Sequence, residues 1–128
     1  MRFAVIHTQN TLLSGAISNY LRERGELIPQ RVTENTGNEP FASCQSVNAA
    51  VLLMEVTRLP PFTFEERKAT IAQVKAACPN CRIALLCDEN ADWNTAEKVA
   101  DLKKLGIIDN FFYSSVSGEY LAAALAAM

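Results

Sequence analysis

The apolar residues of this chain fall into short unbroken runs separated by longer stretches in which apolar and polar positions recur at helical spacing. The run 49–54 has no polar residue on either face and ends in Glu55, then Val-Thr-Arg-Leu-Pro-Pro at 56–61. A run apolar on both faces suits a parallel strand covered by helices on both sides. Residues 3–6 and 82–87 read the same way, and 107–113 gives a last strand. The segment 27–32 alternates weakly and contains Pro29, which cannot donate a ladder hydrogen bond, so it is placed at a sheet edge.

Between these runs the helical periodicity is marked by its own start and stop signals. Leu13, Ala16, Ile17, Tyr20 and Leu21 recur along 11–25, and Gly25 suits a left-handed stop. Thr63-Phe-Glu-Glu66 fits a capping box that opens a helix through about residue 77. Asn94 with Glu97 offers a second such start, followed by Val99, Leu102 and Leu105 on one side and Gly106 at the end. Ser117 can cap a final helix over 118–128, and a short helix is expected around 41–47. Strand and helix thus alternate about five times, which implies right-handed crossovers and a parallel sheet. With 27–32 at an edge, the order is 2-1-3-4-5: an α/β three-layer sandwich.

Composition narrows the function classes. The chain of 128 residues, 49% of them hydrophobic, is sized for a single domain spanning 1–128. Twelve basic and fourteen acidic residues nearly cancel, so no positive field is available to hold a nucleic-acid backbone. No apolar run approaches the ~20 residues that span a bilayer, and the start is too short for a signal peptide, so a cytoplasmic location is expected. The four cysteines Cys44, Cys78, Cys81 and Cys87 are expected to be thiols.

Candidate chemistry is sparse. In open α/β sheets ligands bind outside the carboxyl ends of the strands, which directs attention to Glu55 and the loop after it. Cys78-Pro-Asn-Cys81 has redox or half-zinc spacing, but Cys78 falls at a helix carboxyl end, where the dipole opposes a thiolate; two small apolar residues in a turn is the plainer account. His7 has no nucleophile paired with it by spacing and is expected to be a polar loop residue.

The strand–helix rhythm, the run Val-Leu-Leu-Met-Glu-Val at 51–56 and the segment Gly-Ile-Ile-Asp-Asn-Phe-Phe-Tyr-Ser-Ser-Val-Ser-Gly-Glu-Tyr-Leu at 106–121 resemble a receiver domain of a bacterial response regulator. The resemblance covers essentially the whole chain and implies the flavodoxin-like (CheY-like) fold. It places the family's two magnesium-holding acidic residues on His7 and Thr8 and its phosphoacceptor aspartate on Glu55. The hydroxyl residue falls on Cys87, the lysine on Ser114 and the switch aromatic on Phe111. All five pocket positions carry other residue types, which implies a degenerate receiver, a pseudo-receiver, that binds no magnesium and is not phosphorylated in the usual way. Asp88 and Glu89 are nearby carboxylates that could substitute in part. Glu55 is open to two readings, a permanently charged imitation of the phosphorylated state or a carboxylate simply solvated at a strand end.

The last helix has no charged residue after Glu119. A helix apolar all round calls for burial, so Tyr120, Leu121, Leu125 and Met128 are expected to form an association surface, in a homodimer or toward an attached effector. The resemblance implies a DNA-binding output and a regulatory, non-enzymatic role without a cofactor. A small flavodoxin-like cofactor-binding or redox protein, or an atypical phosphoacceptor using Glu55 or Asp88, is the alternative.

Overall fold

A computed structural model describes residues 1–33, 39–88 and 93–128. Among the described residues ten elements alternate: β1 (Phe3–His7), α1 (Thr11–Arg24), β2 (Ile28–Arg31), α2 (Glu39–Val47), β3 (Val51–Val56), α3 (Phe64–Ala77), β4 (Arg82–Cys87), α4 (Trp93–Lys104), β5 (Asn110–Tyr113) and α5 (Gly118–Ala126). The strands form one parallel sheet in the order β2-β1-β3-β4-β5. This is the expected flavodoxin-like order, with the proline-bearing strand at the edge.

The sheet divides the core in two, because successive side chains of a strand point to opposite faces. Val5, Leu52, Met54, Ile83, Leu85 and Cys87 face one way, onto Cys44 of α2, Ile71 and Val74 of α3 and Val99 and Leu102 of α4. Ala4, Ile6, Val51, Leu53, Ala84 and Leu86 face the other way, onto Ile17 and Leu21 of α1 and Leu121, Ala122 and Leu125 of α5. β3 is therefore packed from both sides, and its residues Val51 to Met54 are wholly buried.

Local signals fix several helix ends. Gly25 takes the left-handed conformation (φ 78°) and donates to Leu21 O, closing α1. Thr63 caps α3: its hydroxyl oxygen accepts from Glu66 N at 3.3 Å, and the hydroxyl donates to Glu66 Oε1 at 2.8 Å. The box closes side chain to side chain, not through the Thr63 amide. Ser117 caps α5 by accepting from Tyr120 N at 3.1 Å.

Three expectations are corrected. Helix α4 begins at Trp93, so Asn94 lies inside it, and Glu97 instead accepts from Trp93 Nε1 at 3.1 Å. Leu105 is left exposed beyond the end of α4. Helix α5 is not an apolar cylinder awaiting a partner: Leu121 and Leu125 are fully buried within this domain. The reason is the small residues at the contact between α5 and α1. A Cβ on Gly118 would meet Ala16 Cβ at 3.2 Å, so α5 lies close on α1, and Ala122 and Ala126 bury with it. Of the four residues assigned to an association surface, Tyr120 is exposed and Met128 half-buried. Among the described residues no helix is long and apolar enough to cross a membrane.

Candidate functional site

A cleft of about 450 Å³ opens at the carboxyl ends of β3 and β4, lined among others by Gln9, Asn10, Glu55, Arg58, Asp88 and Thr95. Glu55 occupies the next-to-last position of β3. Its Oε1 accepts from the backbone amides of Gln9 at 2.7 Å and Asn10 at 3.1 Å. Asn10 is itself the cap of α1, its side chain accepting from Leu13 N. The carboxylate thus sits at the amino end of α1, where the helix dipole and unpaired amides favour negative charge. Glu55 is not a freely solvated side chain, since its Oε1 is held by two backbone amides. It ties the loop after β1 to the end of β3.

Beneath it lies a residue that the sequence reading passed over. Arg67 is buried on α3, 2% exposed although it is an arginine. Its guanidinium donates through Nε to Glu55 O at 2.8 Å and through Nη2 to His7 O at 3.2 Å, and Nη1 lies 2.9 Å from His7 Nδ1. The fork therefore joins the carboxyl ends of β1 and β3 by their backbone carbonyls. Phe62 lies below it, with the guanidinium carbon 5.1 Å from the ring centroid and the His7 ring 4.8 Å away. Desolvation lowers the Arg67 pKa to about 10, opposed by the negative charges of Glu55 and Glu66. The group is still charged at neutral pH. Because a guanidinium can only donate, His7 Nδ1 must accept, which assigns the proton of a neutral imidazole to Nε2.

The sequence did carry a signal for Arg67. It precedes Thr70, Ile71 and Val74 by three, four and seven residues, the other buried positions of α3. A charge on an apolar stripe is buried with partners or not at all.

The residues placed on the receiver pocket lie at neighbouring strand ends, and each side chain turns to its own partners. His7 is the last residue of β1, not a loop residue, and is 1% exposed with its ring turned to Arg67 and Phe62. Thr8 is buried, and its hydroxyl donates to Asn10 O at 2.6 Å. Cys87 is buried in the core, with its thiol directed to Phe112 O at 3.8 Å. Ser114 is half-buried and is engaged through its amide, which donates to Cys87 O at 2.9 Å. Glu55 and Asp88 do line one cleft; Glu89 lies outside the described residues. Phe111 is half-buried, packed edge-on to Tyr113 at 5.7 Å with the Lys103 ammonium 5.8 Å from its centroid.

This arrangement does not fit a magnesium ion. Magnesium requires hard oxygen ligands in near-octahedral geometry. Here the last residue of β1 and the one after it supply a buried imidazole and a threonine hydroxyl that is directed to the backbone, and a buried guanidinium adds positive charge beside them. Among the described residues no group of three or more histidine, cysteine or carboxylate side chains could hold a metal ion.

No protein-family model matches the sequence, and no curated protein is similar to it in sequence. Solved structures are similar over the whole fold. The inactive form of the regulatory domain of RitR, the repressor of iron transport regulator, superposes with a TM-score of 0.77 at 14% identity, covering 99% of this chain and 94% of that one. The Vibrio cholerae chemotaxis protein CheY4 gives a TM-score of 0.74 at 20% identity, over 99% and 98%. The Thermotoga maritima response regulator TrrA, in complex with magnesium and BeF, gives 0.72 at 14%, again over 99% and 98%. The chain has the fold of CheY-like receiver domains.

Proposed function

We propose that this protein is a receiver-type regulatory domain in signal transduction that works through protein association and does not use aspartyl phosphorylation. The observation that carries the reading is the engagement of Glu55: the carboxylate at the acceptor position is held by the Gln9 and Asn10 amides. Arg67, buried between the ends of β1 and β3, holds the strand end from below. An acceptor must present a free oxygen in line with a leaving group, and the charge on the moving oxygens must be neutralised. Glu55 is instead a carboxylate at the cleft wall with its Oε1 already held by two amides, and the position of the charge-neutralising lysine is Ser114. This favours a domain held in one state over one that is switched.

In this reading the output is a contact surface. Leu105, Ile107 and Tyr120, in or next to α4 and α5, are exposed and available for a second copy or an effector. A DNA-binding effector is the partner the fold's relatives suggest, since one similar structure is a DNA-binding response regulator of the LuxR family from Staphylococcus aureus. The near-neutral charge of this domain leaves nucleic-acid contact to that effector. A cytoplasmic setting goes with such a role.

The test is a thermal-shift and light-scattering titration with magnesium and beryllofluoride, on the protein and on Glu55→Gln. A ligand that binds the native state must raise the melting temperature by linkage. No shift in either protein is expected. A shift that disappears in Glu55→Gln overturns the reading and makes the cleft a working phosphoryl site.

A further inference from the structure

His7 is the single histidine of the chain, and it sits at the joint between the ends of β1 and β3. It is 1% exposed, its Nδ1 lies 2.9 Å from Arg67 Nη1, and its backbone oxygen accepts from Nη2 of the same guanidinium at 3.2 Å. The third bond of the fork, from Nε to Glu55 O at 2.8 Å, ties this pair to β3. Directly after His7 and Thr8 comes the loop whose Gln9 and Asn10 amides hold the Glu55 carboxylate. One imidazole nitrogen therefore stands between a charged fork and the loop that borders the cleft.

Such a joint accommodates only one protonation state of the ring. A guanidinium has donors and no acceptor, and Arg67, with its pKa at about 10, keeps its charge through the neutral and mildly acidic range. Neutral His7 offers Nδ1 as an acceptor, whereas protonated His7 is a donor at both nitrogens. Protonation would set two N–H groups and two positive charges against each other across 2.9 Å, out of water, where repulsion is screened least. Among the described residues the other charged groups around the ring are turned elsewhere. Glu66 of α3 accepts from the Thr63 hydroxyl at 2.8 Å, Glu55 gives its Oε1 to the two loop amides, and both favour the charge already on Arg67. Arg31 of β2 donates to Thr11 O and Ser14 Oγ of α1, and Glu39 of α2 lines a separate cleft with Gln30. The charges of α1, Arg22, Glu23 and Arg24, stand at its far end, and Phe62, against the ring at 4.8 Å, is neutral.

We infer that His7 and Arg67 form an acid-released latch: a proton taken from solvent by His7 breaks its bond to Arg67 and loosens the loop after β1 from the end of β3. Linkage sets the direction of the effect. An unfolded histidine takes up its proton near pH ~6.5, whereas the folded joint favours the neutral ring. Stability is therefore full above that pH and declines as the pH drops below it, by up to roughly tenfold in the unfolding equilibrium per pH unit, until the folded ring is protonated too. The loop yields before the sheet does, because a surface loop opens locally at a lower free energy than buried strands. The latch needs only the His7–Arg67 contact and stands whether or not the domain is a receiver.

The experiment titrates the purified protein by NMR from about pH 7.5 to about pH 5, the interval around the ordinary histidine value. With one histidine in the chain, its ring signals need no assignment. His7 in the folded protein is expected to titrate at least about one unit below the ordinary ~6.5. Hydrogen exchange over the same interval, corrected for the intrinsic pH dependence of the amides, should show protection of Gln9 and Asn10 falling several-fold. In His7→Asn the amide oxygen takes the place of Nδ1 and does not titrate, so protection of the two amides should stay level. A folded His7 that titrates at or above ~6.5 overturns the latch, and this readout needs no variant. Protection that falls equally in wild type and His7→Asn, or in neither, overturns it as well.

Discussion

The two ends of the sheet treat their polar groups in opposite ways. At the carboxyl end, where this fold usually leaves reactive groups open, Glu55, His7 and Arg67 are spent on one another and on backbone groups. At the amino end, Arg82 and Asp109 pair at 3.3 Å on the exposed rim of a second cleft, which Cys81 also lines. The carboxyl end is an internal brace, and the amino end keeps its charged pair at the surface.

The sharpest way to break this contrast is to remove the brace. Arg67→Ala leaves two strand-end carbonyls and the His7 nitrogen without their donor, and urea unfolding should show a loss of about 3–5 kcal/mol, the range for breaking a buried charged network. Arg67→Lys should recover only part of this, since an ammonium cannot reproduce a planar fork that reaches three acceptors. If Arg67→Ala cost under about 1 kcal/mol, as an ordinary surface change would, the brace would not exist.

Leu125→Ala tests the correction made to α5. Full burial against α1 and the sheet predicts a loss of about 2–4 kcal/mol by urea unfolding, as for other buried leucines. A helix whose face awaited a partner would show far less.

A smaller effect is expected at Glu55. Glu55→Gln keeps an oxygen that can accept from the Gln9 and Asn10 amides but loses the charge, so the cost should be about 1 kcal/mol, the difference between charged and neutral hydrogen bonds. Hydrogen exchange should report it as faster exchange of those two amides. Smallest of all, Tyr120→Ala should change stability by under about 0.5 kcal/mol beyond its edge contact with Phe112, yet lower the scattering mass if α5 contributes to association.

Much of the frame was legible in the chain. The run 49–54, the edge proline Pro29, the stop at Gly25 and the caps Thr63 and Ser117 each point to a feature observed in place. The site was less so. Glu55 was found as a position, but its amide partners are 46 and 45 residues away. Arg67 is visible on the stripe of α3, but its acceptors lie 12 and 60 residues away, and nothing local to the helix names them.

The sequence by itself determined the order of elements, the parallel sheet and the edge strand, because periodicity, proline and capping act over a few neighbouring residues. Only the tertiary structure decided that α5 buries its leucines at home and that His7 turns inward to Arg67. Those outcomes depend on how closely two elements approach and which way a side chain points across the gap, and a single alanine or glycine at the contact changes both.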